Sequence, residues 1–248
     1  MEKRRLGNTD VYVSVIAEGC WPMGGEYWGG ADDNESIRTV QKCLELGVTT
    51  FDTAPAYGAG HSEEVLGKAL AGCNRQDVVI STKASGRGLN EQDMRAKLKA
   101  SLDRLQTDYV DIYFIHWPSR NEPMAETITA LENMRKDGLI RAIGVSNFTV
   151  DMLEMAQRYG TIDCFQPPYN MIWRMIEEDI LPYCRDHGIG IVTYSSLAQG
   201  LLTGTIGLKT HYAPTDQRPR TVLWKPENLG KCLYMVEKVR AISKELGV

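Results

Sequence analysis

The chain has 248 residues, 43% hydrophobic and 24% charged, which excludes collagen-like, coiled-coil and disordered classes and suits one sizeable core. Lys and Arg number 28 against 32 Asp and Glu, a net charge of −4 with both signs scattered, so neither a nucleic acid nor an anionic membrane surface is an expected partner. No run approaches the roughly 18 apolar residues of a membrane span, and the basic start has no apolar stretch behind it; the expected location is the cytoplasm.

In chain order, Arg4 to Val13 with its Gly7-Asn8 turn reads as a hairpin of the kind that plugs the underside of a barrel. Short runs rich in β-branched and aromatic residues follow at Val13–Ala17, Thr49–Asp52, Val78–Lys83, Val110–His116, Ile140–Asn147, Cys164–Gln166 and Ile189–Tyr194. Each is too short for a helix and reads as a buried strand. Helical segments lie between them. Asp32, Asp33 and Asn34 precede a run that ends at Leu46 before Gly47, and Pro123 opens another, at N1, that leads to Gly138. The stretch Gly207–Leu229, punctuated by Pro214, Pro219 and Pro226, reads as a long loop of roughly twenty residues, a length that usually marks a functional lid or disorder. A last helix is expected over Leu229–Leu246.

The polar residues closing successive runs, Asp52, Lys83, His116 and Asn147, are 31, 33 and 31 residues apart, the length of one strand–helix unit. Near-equal steps predict a singly wound parallel sheet curling into an α/β barrel of the (β/α)₈ type, with a doubly wound open sheet as the alternative. Seven strands are found. The expectation is therefore one incomplete barrel domain over residues 1–248, about seven strand–helix units plus the N-terminal hairpin, with open edges that invite self-association. The chain then reads as an incomplete copy of a longer protein, as a form that closes its barrel through a second subunit, or as a fragment kept for binding. Six cysteines (Cys20, Cys43, Cys73, Cys164, Cys184 and Cys232) stand far apart, with no Cys-x-x-Cys pair and no metal-ligand spacing to His61, His116, His187 or His211. They read as reduced, mostly buried thiols, and no metal is expected.

In such a barrel the carboxyl ends of the strands converge on one mouth, which collects Asp52, Lys83 and His116, with Tyr57 in the loop five residues past Asp52. Singly, each reads more simply as a rim charge, an ion pair or packing; together, in strand-end register, they read as a site. Trp21, Tyr27, Trp28 and Trp117 are placed to line it. Gly58-Ala59-Gly60 is followed by His61, Ser62 and Glu63, so no G-x-G-x-x-G fingerprint forms and a Rossmann domain is not expected.

FDTAPAYGAGHSEEVLGKAL, STKA, FIHWP, IGVSNF, QPPYN and YSSLAQGLLTG, in this order, resemble the aldo-keto reductases, and the stretch around Trp28 is similar to the bacterial members. The resemblance runs from about Arg4 to the end of the sequence. It implies a metal-free reduction of a carbonyl (aldehyde, ketone or sugar-like substrate) to an alcohol, with NADP as cofactor and NAD left open. It implies contacts to the cofactor from Gly19, Trp21, Asp52, Ser146, Asn147 and Gln166, stacking on Tyr194, and wrapping of the pyrophosphate by Ser195, Leu197, Gln199, Gly200 and Thr203. Substrate contacts fall to Trp28, Tyr57, His116 and Trp117. Ser196 stands where the family usually has proline, and Glu18 where an apolar residue is common. Complete members carry a last strand and helix, with groups for the adenosine 2′-phosphate, that the seven runs do not supply.

Hydride addition leaves charge on the carbonyl oxygen, so a proton donor must stand beside it. Tyr57 is the expected donor, with the Lys83 ammonium depressing its pKa. Asp52 is expected to hold Lys83, and His116 to hydrogen-bond the carbonyl oxygen. The alternative is a non-catalytic nicotinamide-nucleotide-binding module of the same fold.

Overall fold

The alternation of apolar residues along the strands builds two cores on the two faces of one sheet. A computed structural model describes residues 1–85, 88–119 and 123–247. Among the described residues, seven parallel strands pair in sequence order: β3 (Ala17–Gly19), β4 (Thr50–Asp52), β5 (Val79–Ala84), β6 (Val110–Ile115), β7 (Ile140–Ser146), β8 (Cys164–Gln166) and β9 (Gly190–Ile191). The sheet curls as in a (β/α)₈ barrel, as the equal spacing predicts. Ile80, Tyr113, Ile115, Ile143, Val145 and Phe165 point outward into the core shared with the helices, whereas Val79, Ile112, Phe114, Ala142 and Cys164 fill the interior. A strand's period of two then dictates that Asp52, Lys83, Ser146 and Gln166 face inward as well.

The helices are α1 (Asp33–Glu45), α2 (His61–Ala69), α3 (Glu91–Leu105), α4 (Met124–Lys136), α5 (Val150–Gln157), α6 (Ile180–Asp186) and α7 (Pro226–Leu246). Their starts follow local chemistry: Asp32 accepts from the Glu35 N–H at 2.8 Å, and Asn90 accepts from that of Asp93 at 3.0 Å. None is long and apolar enough to cross a membrane.

Four boundaries differ from the sequence reading. Val13–Ala17 is two pieces: Val13 pairs with Arg4 in the antiparallel hairpin of β1 (Lys3–Arg5) and β2 (Tyr12–Ser14), and the barrel strand begins only at Ala17. The break follows from Ser14, whose hydroxyl accepts the N–H groups of Thr49 and Thr50, both at 3.1 Å, and so ties the hairpin's end to β4. The last strand is shorter than Ile189–Tyr194, its ladder covering Gly190 and Ile191 with an isolated bridge from Pro168 to Tyr194. The long loop ends at Lys225, because Pro226 opens α7 at a position where its missing N–H costs nothing. Pro123 sits one place earlier than expected, at the N-cap of α4. Cys73 is exposed and Cys43 half-buried; the other four cysteines are buried, and all six are free.

Two connections span the gap between the outer strands β3 and β9. Below, the hairpin reaches from β4, through Ser14, to β9, where Gly7 packs so tightly that a Cβ would stand 2.7 Å from the carbonyl oxygens of Asp163 and Gly188. Its φ of +52° also suits glycine. Above, the stretch 207–225 returns from the end of β9 to the loop after β3: the Gln217 N–H donates to the Tyr27 carbonyl at 3.0 Å, and Arg218 lies 5.2 Å over the Trp28 ring. This stretch is anchored, not free, with Leu223 and Trp224 buried against Ala198, Leu201 and Cys232.

Under the barrel, buried Asp111 accepts from the Ile80 N–H (2.9 Å), Arg75 (2.7 Å) and Arg141 (2.7 Å). Removing that carboxylate leaves the buried Ile80 N–H unpaired and takes the anion from two guanidinium groups, of which Arg75 keeps Thr107 and the Val78 and Tyr109 carbonyls and Arg141 keeps Asp10. Asp111→Ala is expected to lower the unfolding free energy by about 3 kcal/mol, measured as a lower urea midpoint at unchanged slope.

Candidate active site

Lys83 is a charge with almost no access to water, its side chain 1% exposed. Inward alternation along β5 puts it there, and the chain satisfies it: Nζ donates to Asp52 Oδ2 at 2.6 Å and to the Thr53 carbonyl at 2.8 Å. Burial disfavours the ammonium, but Asp52 and Tyr57 outweigh that cost and hold its pKa above the usual lysine value. Asp52 is itself saturated, since Oδ1 accepts from Ser81 at 2.6 Å and from Gln166 at 2.9 Å.

Tyr57 reaches the pair from the loop after β4. The Tyr57 N–H bonds the Ala54 carbonyl at 3.0 Å, and the next residue, Gly58, touches Gly24 so closely that a Cβ would lie 2.4 Å from its carbonyl oxygen. With φ at +64°, only glycine suits that contact, which locks the tyrosine loop to the tryptophan loop. Lys83 Nζ stands 5.1 Å from the centre of the Tyr57 ring and interacts with its hydroxyl. The expected depression of the Tyr57 pKa is not found. Burial raises it, the Lys83 charge opposes only part of that, and the net direction is upward.

The His116 ring meets Tyr57 edge-on at 6.2 Å between centroids and stacks against Trp117 at 6.3 Å. Burial, then the Lys83 charge, lowers its pKa to about 4, so the imidazole is neutral at pH 7. Nδ1 lies 2.8 Å from the Ser85 hydroxyl. On the other side, Trp21 stacks on Tyr57 (5.9 Å) and meets the edge of Trp28 (5.2 Å). One aromatic wall therefore runs from Trp28 through Trp21, Tyr57 and His116 to Trp117, the last 62% exposed. Tyr27, also exposed, engages the 207–225 stretch through its carbonyl.

The residues expected to meet a cofactor form a second group beside this wall. Ser146 donates to the Gln166 carbonyl at 2.7 Å. Asn147, at φ +61°, donates to the His116 carbonyl at 2.9 Å and accepts from the Tyr194 hydroxyl at 2.9 Å. Gly19 lies at the end of β3 with open space where a Cβ would point. Ser195, Ala198, Gln199 and Gly200 all have positive φ, Thr203 donates to the Gly200 carbonyl, and Leu197 is exposed. Trp28 Nε1 and Gln199 Oε1 are buried polar atoms with no partner. Orphaned polar atoms, a left-handed backbone run and amide side chains at one mouth fit a dinucleotide with an anionic centre and a carboxamide end.

Sequence reasoning overlooked Ser81 and Ser85, although each lies two residues from Lys83 and so on the same face of the strand. It also overlooked Asp216, which is buried and paired with Arg218 at 2.6 Å; the place of that pair depends on Trp28, far away in sequence, as well as on nearby Tyr212.

The Aldo/keto reductase family profile matches residues 15–248. The NADH-specific methylglyoxal reductase of Escherichia coli (strain K12) is 36% identical over 261 residues, covering 96% of this chain and 79% of that protein. The chain belongs to the aldo/keto reductase family. It is an NAD(P)-dependent enzyme on a barrel fold. The glycerol dehydrogenase AKR11B4 from Gluconobacter oxydans superposes with a TM-score of 0.89 at 33% identity, over 99% of this chain and 79% of its own. An aldo/keto reductase from Klebsiella pneumoniae in complex with NADP and acetate gives 0.73 at 32% identity, over 82% and 70%.

A histidine whose folded pKa is depressed keeps its stabilising contribution above its unfolded value and loses it as the pH falls through the folded one. The His116 ring signals, followed by NMR, are expected to titrate near pH 4, with stability declining as the pH drops from about 6.5 towards 4; a midpoint near 6.5 would contradict the buried, cation-flanked environment.

Proposed function

We propose that this member reduces the carbonyl of a small oxygenated substrate, an aldehyde, ketone or sugar-like compound, with Tyr57 as proton donor. The observation that carries the reading is the buried Lys83 ammonium, held by Asp52 and turned towards the Tyr57 hydroxyl. A bound reduced nicotinamide supplies the hydride. Burial keeps the Tyr57 phenol protonated at neutral pH, so the proton is in place when negative charge builds on the substrate oxygen. Once the proton leaves, the adjacent ammonium stabilises the phenolate, the same interaction that opposes, in part, the upward shift that burial imposes on the Tyr57 pKa. Neutral His116 offers an N–H to the carbonyl oxygen and fixes its approach. Trp21, Trp28 and Trp117 wall the substrate.

On this reading Ser146, Asn147 and Gln166 would hold the carboxamide end of the cofactor and Tyr194 would offer its ring to the nicotinamide. The run Ser195 to Thr203 would meet the pyrophosphate, and Gly19 leaves open space at the end of β3. NADP is supported by the Klebsiella complex, and NAD by the name of the Escherichia coli relative. Both relatives named for a substrate act on three-carbon oxygenated compounds, methylglyoxal and glycerol, which supports a small polar ligand here.

Tyr57→Phe is expected to cut kcat for a small aldehyde by roughly 10²- to 10⁴-fold, while NADPH titrated by its fluorescence binds nearly as before. Normal turnover in that variant would end the assignment of the donor. Nucleotide binding without oxidation of NADPH by the unmodified chain would favour a non-catalytic module.

A further inference from the structure

A neutral imidazole carries one N–H and one lone pair, and which nitrogen holds the proton is set by the partner of the other. The proposed role of His116 needs the proton on Nε2, because a carbonyl oxygen only accepts hydrogen bonds. Something must therefore keep Nδ1 bare.

Among the described residues, the side chain at Nδ1 is that of Ser85. The His116 N–H bonds the Ala84 carbonyl at 3.1 Å, continuing the β5–β6 ladder past its last strand pair, Ala84 with Ile115. That bond sets the residue after β5, Ser85, beside the imidazole, with its hydroxyl 2.8 Å from Nδ1. The same ring is fixed from other sides: Asn147 donates to the His116 carbonyl, Trp117 stacks on one face, and Tyr57 stands at its edge. Lys83 and Asp52 are the charges nearby, already paired with each other.

We propose that Ser85 is a positioning residue for carbonyl reduction: its hydroxyl donates to Nδ1 and so holds His116 as the Nε2–H tautomer that can hydrogen-bond the substrate oxygen. A serine hydroxyl is suited to this, since it turns about one bond to present its proton and adds no charge to the cavity. The neutrality of the ring excludes the alternative in which both nitrogens donate. Ser85 also lies two residues beyond Lys83, so one strand end supplies both the cation that faces the phenol and the hydroxyl that sets the imidazole. This assignment rests on the role given to His116 above.

The test reads the tautomer directly. In histidine-selective ¹⁵N-labelled protein, with the His116 signals assigned by their loss in His116→Gln, the unmodified chain at neutral pH should show a protonated Nε2 and a bare, hydrogen-bonded Nδ1. Ser85→Ala should convert this to a mixture of tautomers and lower kcat roughly 10- to 100-fold, with NADPH affinity unchanged. Ser85→Thr, which keeps the hydroxyl, should restore the spectrum and bring kcat to within a few-fold. A protonated Nδ1 in the unmodified protein overturns the proposal, as does a Ser85→Ala variant with unaltered ring signals and full turnover. If Ser85→Ala fails to fold, the spectra of the unmodified protein and of Ser85→Thr decide. Full turnover in His116→Gln removes instead the role given to the imidazole, and the ring spectrum still decides for or against Ser85.

Discussion

A buried ammonium is the constraint on which the site rests. Lys83 has given up its water, and such a desolvation is repaid only by a close carboxylate with complementary hydrogen bonds around it. The barrel supplies both: Asp52 meets Nζ from the neighbouring strand, while Ser81 and Gln166 saturate the remaining carboxylate oxygen. An ion pair of this kind is weak evidence for stability, and well-packed apolar side chains would serve a fold at least as well. Its presence in the interior is understood through Tyr57, which it faces. The fold tolerates the pair because four inward positions on three strands, Asp52, Ser81, Lys83 and Gln166, close a network in which each polar atom named has a partner.

Electrostatic roles around that pair are cleanly separated. Tyr57 is held as the neutral phenol by burial, and His116 as the neutral imidazole by burial and by the Lys83 charge. One ion pair and two neutral hydrogen-bonding groups thus face the mouth. On the reading proposed above, a low-dielectric site with this balance suits an uncharged carbonyl, with the ammonium placed to stabilise negative charge where reduction would create it. The aromatic wall from Trp28 to Trp117 borders these groups, with its Trp117 end exposed.

Much of this arrangement was legible in the amino-acid sequence. The near-equal spacing of Asp52, Lys83 and His116 predicts strands in parallel order, and parallel order brings strand ends to one mouth; the geometry at Asp52 and Lys83 follows from that alone. Hydrogen-bond detail was less legible. Gln166 reads as a group for a carboxamide, yet its amide also donates to Asp52, a contact across 114 residues that no local pattern announces. The direction of the Tyr57 shift was misread, because charge partners can be named from sequence whereas the depth of burial opposing them cannot. The split at Ser14 and the anchoring of residues 207–225 escaped for a related reason. Both depend on side chains that meet only after the sheet has curled, Ser14 with Thr50 and Arg218 with Trp28.

The two-residue alternation of β5 has a further consequence. Val79, Ser81 and Lys83 look inward while Ile80 and Thr82 look outward, Thr82 bonding buried Glu63 on α2 at 2.6 Å. A shift of one residue would exchange the two sets at a stroke, moving the ammonium into the oily layer beneath the helices and a threonine into the cavity. Packing and chemistry are thus written in the same phase of one short segment. A substitution at one inward position alters the chemistry and leaves the phase intact, whereas an insertion or deletion inside the strand forfeits packing and polar set together.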